Sequence, residues 1–162
     1  MVRVITLRRA NAGDARDVFE WRNDPRTREA SLSRAEIVWD DHEAWFIRAI
    51  ADPGRRLYIA EAVGDSGPPA DGAIGMVRFD LRGGEAAEVS INLNPSWRGR
   101  GVSVEVLESA IAELSSSGMS PELHATIRAG NTASVRLFLR AGFVEVSREA
   151  DVVMFRRDAG FR

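Results

Sequence analysis

The chain has 162 residues, 44% hydrophobic and 28% charged, and its 22 basic against 24 acidic residues leave a formal charge of −2 at pH 7. Cysteine is absent, which excludes disulfide frameworks, zinc–thiolate sites, iron–sulfur clusters and a cysteine nucleophile together. Lysine is absent too, so Schiff-base and P-loop lysine chemistry is excluded, and the near-neutral balance argues against a sequence-independent grip on nucleic acid.

A chain of this length can bury roughly 70% of the surface it exposes when unfolded, and no linker or repeat divides it, so one domain over residues 1–162 is expected. The opening Val2 to Arg8 is β-rich and mostly alternating; it is too short and too interrupted by Arg for a signal peptide. With no run near eighteen apolar residues, a cytoplasmic protein with no membrane partner is expected. After Asn11-Ala12-Gly13-Asp14, apolar positions at Ala15, Val18, Phe19 and Trp21 mark a helix that Asp24-Pro25 stops. Ser33-Arg34-Ala35-Glu36 has capping-box form ahead of a second helical region that runs to about Ala51. Strands follow over Arg56–Ala62 and Ala73–Leu81, with the Gly/Pro-rich stretch from Gly64 to Gly72 as the loop of their hairpin. Arg82 to Glu85 reads as a turn into the strand Ala87–Leu93, and Val102 to Leu114 reads as the crossover helix. A short strand over Leu123–Ile127, a helix over Thr132–Ala141 closed by Gly142, and a hairpin of Phe143–Ser147 with Val152–Arg157 complete the chain. The order predicts an α/β (α+β) fold.

The segment Asn94 to Ser103 carries the strongest chemical signal: a strand ends, small residues follow, and a helix begins without an acidic cap. Exposed N–H groups at a helix start beside Arg98 and Arg100 suit a phosphate or pyrophosphate, and Gly99 and Gly101 let an anion approach the main chain. The spacing is neither that of a dinucleotide fold nor a Walker A loop. Arg98-x-x-Gly101-x-Ser103 resembles the acyl-CoA pyrophosphate loop of the GNAT superfamily of N-acetyltransferases, with Ser103 departing from the usual Gly or Ala. Asn131-x-x-Ser134-x-x-Leu137-Phe138-x-x-x-Gly142-Phe143 resembles the same family's later helix and the strand entry after it. The resemblance covers Ile5 to about Phe155.

The resemblance implies a mixed, mostly antiparallel sheet of six or seven strands flanked by about four helices. It also implies acetyl-CoA as co-substrate and a primary amine on a small molecule as acceptor; with only two His, far apart and in no HExxH-type spacing, no metal is expected. Ile91, Asn92 and Leu93 would bond the pantetheine arm much as an added strand would. Arg98, Gly99, Arg100, Gly101, Val102 and Ser103 would hold the pyrophosphate, with Asn131, Ser134 and Phe138 on the facing helix. Asn131 reads equally well as a helix N-cap. Glu88 is the expected base, sharing a polar strand face with Ser90 and Asn92. Many relatives carry Tyr where this chain has Phe138, so either Ser134, Tyr58 or water protonates the leaving thiolate, or no specific acid is used.

Trp21, Arg22, Arg28 and Tyr58 are expected at the acceptor end, although core packing competes for the Trp residues. The Trp21-Arg22-Asn23 and His42-x-x-Trp45-Phe46 elements resemble the branch holding amino-sugar nucleotide and ribosomal-protein alanine N-acetyltransferases. His42, in a charged helical stretch, is expected at the surface or a pocket rim, and His124 as a structural residue. A protein N-terminal acetyltransferase, a CoA-binding sensor without turnover, and a homodimer stay open as alternatives.

Overall fold

The computed structural model describes residues 4–63, 72–83 and 85–158. The elements are β1 (Val4–Arg9), α1 (Ala15–Asn23), α2 (Pro25–Ala30), α3 (Trp39–Ala51), β2 (Arg55–Val63), β3 (Ala73–Arg82), β4 (Ala86–Leu93), α4 (Ser103–Ser116), β5 (Glu122–Arg128), α5 (Thr132–Arg140), β6 (Val144–Glu149) and β7 (Val152–Arg157). The strands form one sheet in the order β1-β2-β3-β4-β5-β7-β6. Every neighbouring pair is antiparallel except β4 with β5. The expected mixed, mostly antiparallel sheet is present with seven strands. The loop expected over Gly64 to Gly72 lies, apart from Gly72, outside the described residues. No helix among the described residues is long and apolar enough to cross a membrane.

Side chains alternate across each strand, so the sheet carries a core on both faces. On one face Val77, Phe79, Val89 and Phe155 pack against Val106 and Leu107 of α4 and Leu137 of α5. On the other, Leu57, Ile59 and Met76 pack against Val18 and Trp21 of α1 and Phe46 of α3. The helices form because each offers an apolar stripe to one of these faces, and burial of that stripe, at about 25 cal/mol per Å², outweighs their weak local propensity.

Three local expectations change. Asp24-Pro25 does end α1, but it also begins α2: the Asp24 carboxylate accepts from the Thr27 N–H at 3.1 Å, and Pro25 takes the first helical position, where its missing N–H is harmless. The described residues therefore carry five α-helices, in keeping with the about four expected. The capping box at Ser33–Glu36 does not form, because α3 begins only at Trp39 with Val38 as its N-cap. Residues 31–38 are instead tied down from outside. The Asn23 amide donates to the Ile37 carbonyl and accepts from the Ile37 N–H, both at 2.8 Å, and Arg128 donates to the carbonyls of Ser31 and Leu32, each at 3.1 Å. Finally, His42 is not on a rim. It is 2% exposed, enclosed by Phe19, Trp39, Trp45 and Phe46, with Nε2 2.9 Å from the Ala15 carbonyl.

Candidate active site

The site follows from where the sheet fails. β4 and β5 pair over three residues only, Ala86 with Glu122, Ala87 with Leu123 and Glu88 with His124. Both strands then continue, to Leu93 and Arg128, without pairing to each other. On its other edge β4 stays laddered to β3 as far as Leu93. Along the widening gap, main-chain groups of 89–93 that face β5 have no strand partner, and buried backbone groups seek one. Gly75 fixes where the end of β4 lies: a Cβ there would stand 2.8 Å from the Asn92 carbonyl oxygen.

Two adjoining clefts open along this gap, of about 420 and 720 Å³, sizes that suit small ligands. Ile91, Asn92, Asn131 and Ser134 line both, so the two are continuous. The larger one ends at the loop before α4, where Arg98, Gly99 and Ser103 line it. Gly99 and Gly101 have φ of +73° and +70°, the left-handed region that favours glycine, and a Cβ on either would meet nothing within 4 Å. Space above the loop amides is therefore open. No side chain caps α4, so its first N–H groups are left for a ligand or water. These features fit the phosphates of a CoA-type molecule.

The smaller cleft holds Glu88, Ser134 and Phe138, together with Arg22, Arg28, Arg78 and Arg128. Asn92 stands between the two, and its amide is enclosed with neither Oδ1 nor Nδ2 hydrogen-bonded. An unpaired buried amide is costly, so it is set to bond whatever enters. Phe138 is 2% exposed and packs edge-on against Phe143, with ring centroids 4.9 Å apart. Asn131 caps α5, its Oδ1 accepting from the Ser134 N–H at 3.2 Å, and its Nδ2 reaches the Ala30 carbonyl at 3.4 Å. The N-cap alternative is thus realised, with the same residue still lining the cleft.

Other expected site residues lie elsewhere. Trp21 is 6% exposed in the core under α1 and lines neither cleft. Tyr58 is 3% exposed on the α4 side of the sheet, opposite in register parity to Glu88, and stacks edge-on with Phe79; burial raises the pKa of its hydroxyl. It is removed from both acceptor and acid roles. Val102 is 2% exposed and packs in the core, so only its main chain can face the loop. Arg100 stands over the Trp97 ring at 4.9 Å instead of lining a cleft. Arg98 does line one, but its guanidinium also pairs with Asp24 and donates to the Thr27 hydroxyl at 2.6 Å, joining the glycine loop to α2. The Asp24 carboxylate is held below its ordinary range chiefly by that bond. Arg78 and Arg128 were not singled out in the sequence; the alternation of β3 and β5 placed them on this face, which a pairing register would have shown.

The acetyltransferase (GNAT) domain family matches residues 5–144 of the chain, and the chain belongs to that family. It is an N-acetyltransferase of the kind that draws its acetyl group from acetyl-CoA. Among solved structures, a domain from Methanocaldococcus jannaschii superposes with a TM-score of 0.81 at 17% identity, covering 96% of this chain and 99% of that one. Spermidine N-acetyltransferase from Vibrio cholerae, solved with CoA and spermine, gives 0.76 at 19% identity over 94% and 92% of the two chains. A candidate phosphinothricin N-acetyltransferase gives 0.73 at 25% identity over 96% and 98%. Among curated protein sequences, none matches this chain.

Proposed function

We propose that this protein transfers acetyl from acetyl-CoA directly to a primary amine of a small molecule at the Glu88 end of the groove. The observation that carries the reading is the early end of the β4–β5 ladder, which leaves a ligand-sized gap leading from the open glycine loop to a carboxylate. Acetyl-CoA supplies the activated thioester carbonyl. Main-chain groups of 89–93 and the Asn92 amide hold its arm, while the N–H groups of 98–103 hold its phosphates. Glu88 takes the proton that an ammonium must lose before its nitrogen can attack, directly or through water. Its carboxylate has no salt bridge or hydrogen bond to another described residue. Ser134, which lines both clefts, relays a proton to the departing sulfur in this reading.

With no cysteine to carry an acyl group, both substrates bind together and initial-rate plots intersect. An amino-sugar nucleotide is the acceptor favoured here over a protein N-terminus, because Arg22 and Arg28 line the cleft. The buried Phe138 supports a second reading, a module that binds CoA and turns over poorly for want of a phenol. Calorimetric titration with acetyl-CoA, followed by thiol release over amino-sugar nucleotides and N-terminal peptides, separates them. Binding with turnover supports the enzyme, binding alone supports the sensor, and no binding refutes both.

A further inference from the structure

Charge in the smaller cleft is one-sided. Arg22, Arg28, Arg78 and Arg128 line it, and Glu88 is the one acidic residue among the described lining. Two of the four guanidiniums are accounted for locally. Arg128 faces Asp151 at 3.4 Å as well as the Ser31 and Leu32 carbonyls. Arg28 donates to the Arg34 carbonyl at 3.3 Å. The other two differ. Arg78 lies 3.2 Å from Asp80 and donates to the Ser90 hydroxyl at 3.4 Å, while Arg55 faces Asp80 at 3.4 Å and Asp52 at 3.6 Å, so these two guanidiniums share two carboxylates and leave none for Arg22. Arg22 has no carboxylate or carbonyl partner among the described residues; its guanidinium lies over Trp45 at 5.5 Å. Arg78 lies over the same ring at 5.4 Å. Burial, and then the neighbouring Arg78, lowers the Arg22 pKa. Arg55 lies over the Trp45 ring too, at 5.9 Å, so three guanidiniums share one ring with two carboxylates, and a negative group beside Arg22 and Arg78 would balance the remaining charge. Guanidiniums held beside a ring face are preorganised for a carboxylate or phosphoryl group, which can accept from both at once.

We propose that the acceptor amine of this enzyme carries an oxyanion, which Arg22 and Arg78 bind in this cleft while the amine lies toward Glu88. The proposal rests on the acetyltransferase reading and narrows its substrate. It also sets this cleft apart from polyamine chemistry. A molecule with several ammonium groups would meet four arginines and one carboxylate.

The test compares amines matched except for the anion: an amino acid against its carboxamide, and an amino-sugar phosphate against the free amino sugar, with spermidine as the cationic control. Thiol release with acetyl-CoA saturating is expected to give kcat/KM at least about tenfold higher for the anionic member of one pair, since a charge-assisted contact is worth about that factor. Which pair responds separates a carboxylate from a phosphate. In Arg22→Gln that ratio collapses toward one, chiefly through KM of the anionic member; a merely structural role would depress both members alike. Calorimetry of the same amines with CoA present repeats the comparison without turnover. Equal kcat/KM and equal affinity within both pairs, or a preference for spermidine, overturns the oxyanion site while leaving the acetyltransferase reading intact. If acetyl-CoA does not bind, the broader reading fails, and a missing preference in the amine titrations then removes the oxyanion site as well.

Discussion

Gly101 offers a sharp test of the phosphate loop because sterics and charge can be separated there. Its φ of +70° makes any side chain strained, yet a Cβ would meet nothing within 4 Å. Asn and Asp have nearly the same shape and both tolerate the left-handed region better than other residues. Gly101→Asn therefore carries the backbone cost alone, and Gly101→Asp adds one negative charge. For a phosphate charge about 6 Å from the new carboxylate, the repulsion is about 0.7 kcal/mol at a dielectric of about 80 and about 2.8 kcal/mol at about 20. A pyrophosphate with two such charges doubles these figures, so the Asp variant should bind acetyl-CoA at least about tenfold more weakly than the Asn variant. The residue is solvent-exposed, so the gap should narrow with salt as the Debye length shrinks. Calorimetric Kd values for both variants at low and high salt, with matched melting temperatures as the folding control, provide the assay. Equal affinities for Asn and Asp at low salt would refute the placement of phosphate on this loop.

Glu88→Gln keeps the shape of the strand face and removes the base, so kcat/KM should drop by about 100-fold while the acetyl-CoA Kd stays put; an unchanged rate would take Glu88 out of the mechanism. Gly75→Ala forces its Cβ against the Asn92 carbonyl, 2.8 Å away, and should cost about 1–3 kcal/mol of stability in urea unfolding and weaken acetyl-CoA as the end of β4 shifts. A silent substitution would mean that this end of the strand is slack. Burial chiefly, and the Arg22 charge with it, hold His42 below the ordinary imidazole range against its hydrogen bond to Ala15. The unfolded chain takes up a proton near pH 6.5 while the folded chain does so only at lower pH. Stability from this group is thus full above pH 6.5 and is lost as pH falls through the folded value, with a slope of up to about 1.4 kcal/mol per pH unit. His42→Phe should flatten that slope between pH 7.5 and 5.5, and parallel curves would count against it.

Much of the architecture was written in periodicity. Alternation in β2 to β4 and the apolar spacing of α4 are strong local signals, and the expected strands lie within two residues of those observed. Other features were legible but ambiguous. Asp24-Pro25 is both a stop and a start, because the acid that ends one helix caps the next. Tyr58 sits between Leu57 and Ile59 in a strand covered on both faces, where composition does not say which way a side chain points. What stayed hidden depends on distant partners. Ser33–Glu36 has the form of a cap, but the clasp of Asn23 on Ile37, fourteen residues away, decides the backbone there. The Arg98–Asp24 pair spans 74 positions, and the shared Trp45 ring under Arg22 and Arg78 joins three elements. The glycine loop is legible as a candidate because its pattern is local; the arginine pair is not, because it exists only after folding.

The three-residue seam between β4 and β5 also bears on how the molecule holds together. Strands β1 to β4 and β5 to β7 are each knitted by full ladders, so along the sheet itself the weakest joint is the one beside the groove. Under the proposed function a donor lying in the gap would supply rungs that the chain omits, and at a hundredfold excess over its Kd it would add about 2.7 kcal/mol to the folded state. The catalyst is in this sense an unfinished sheet.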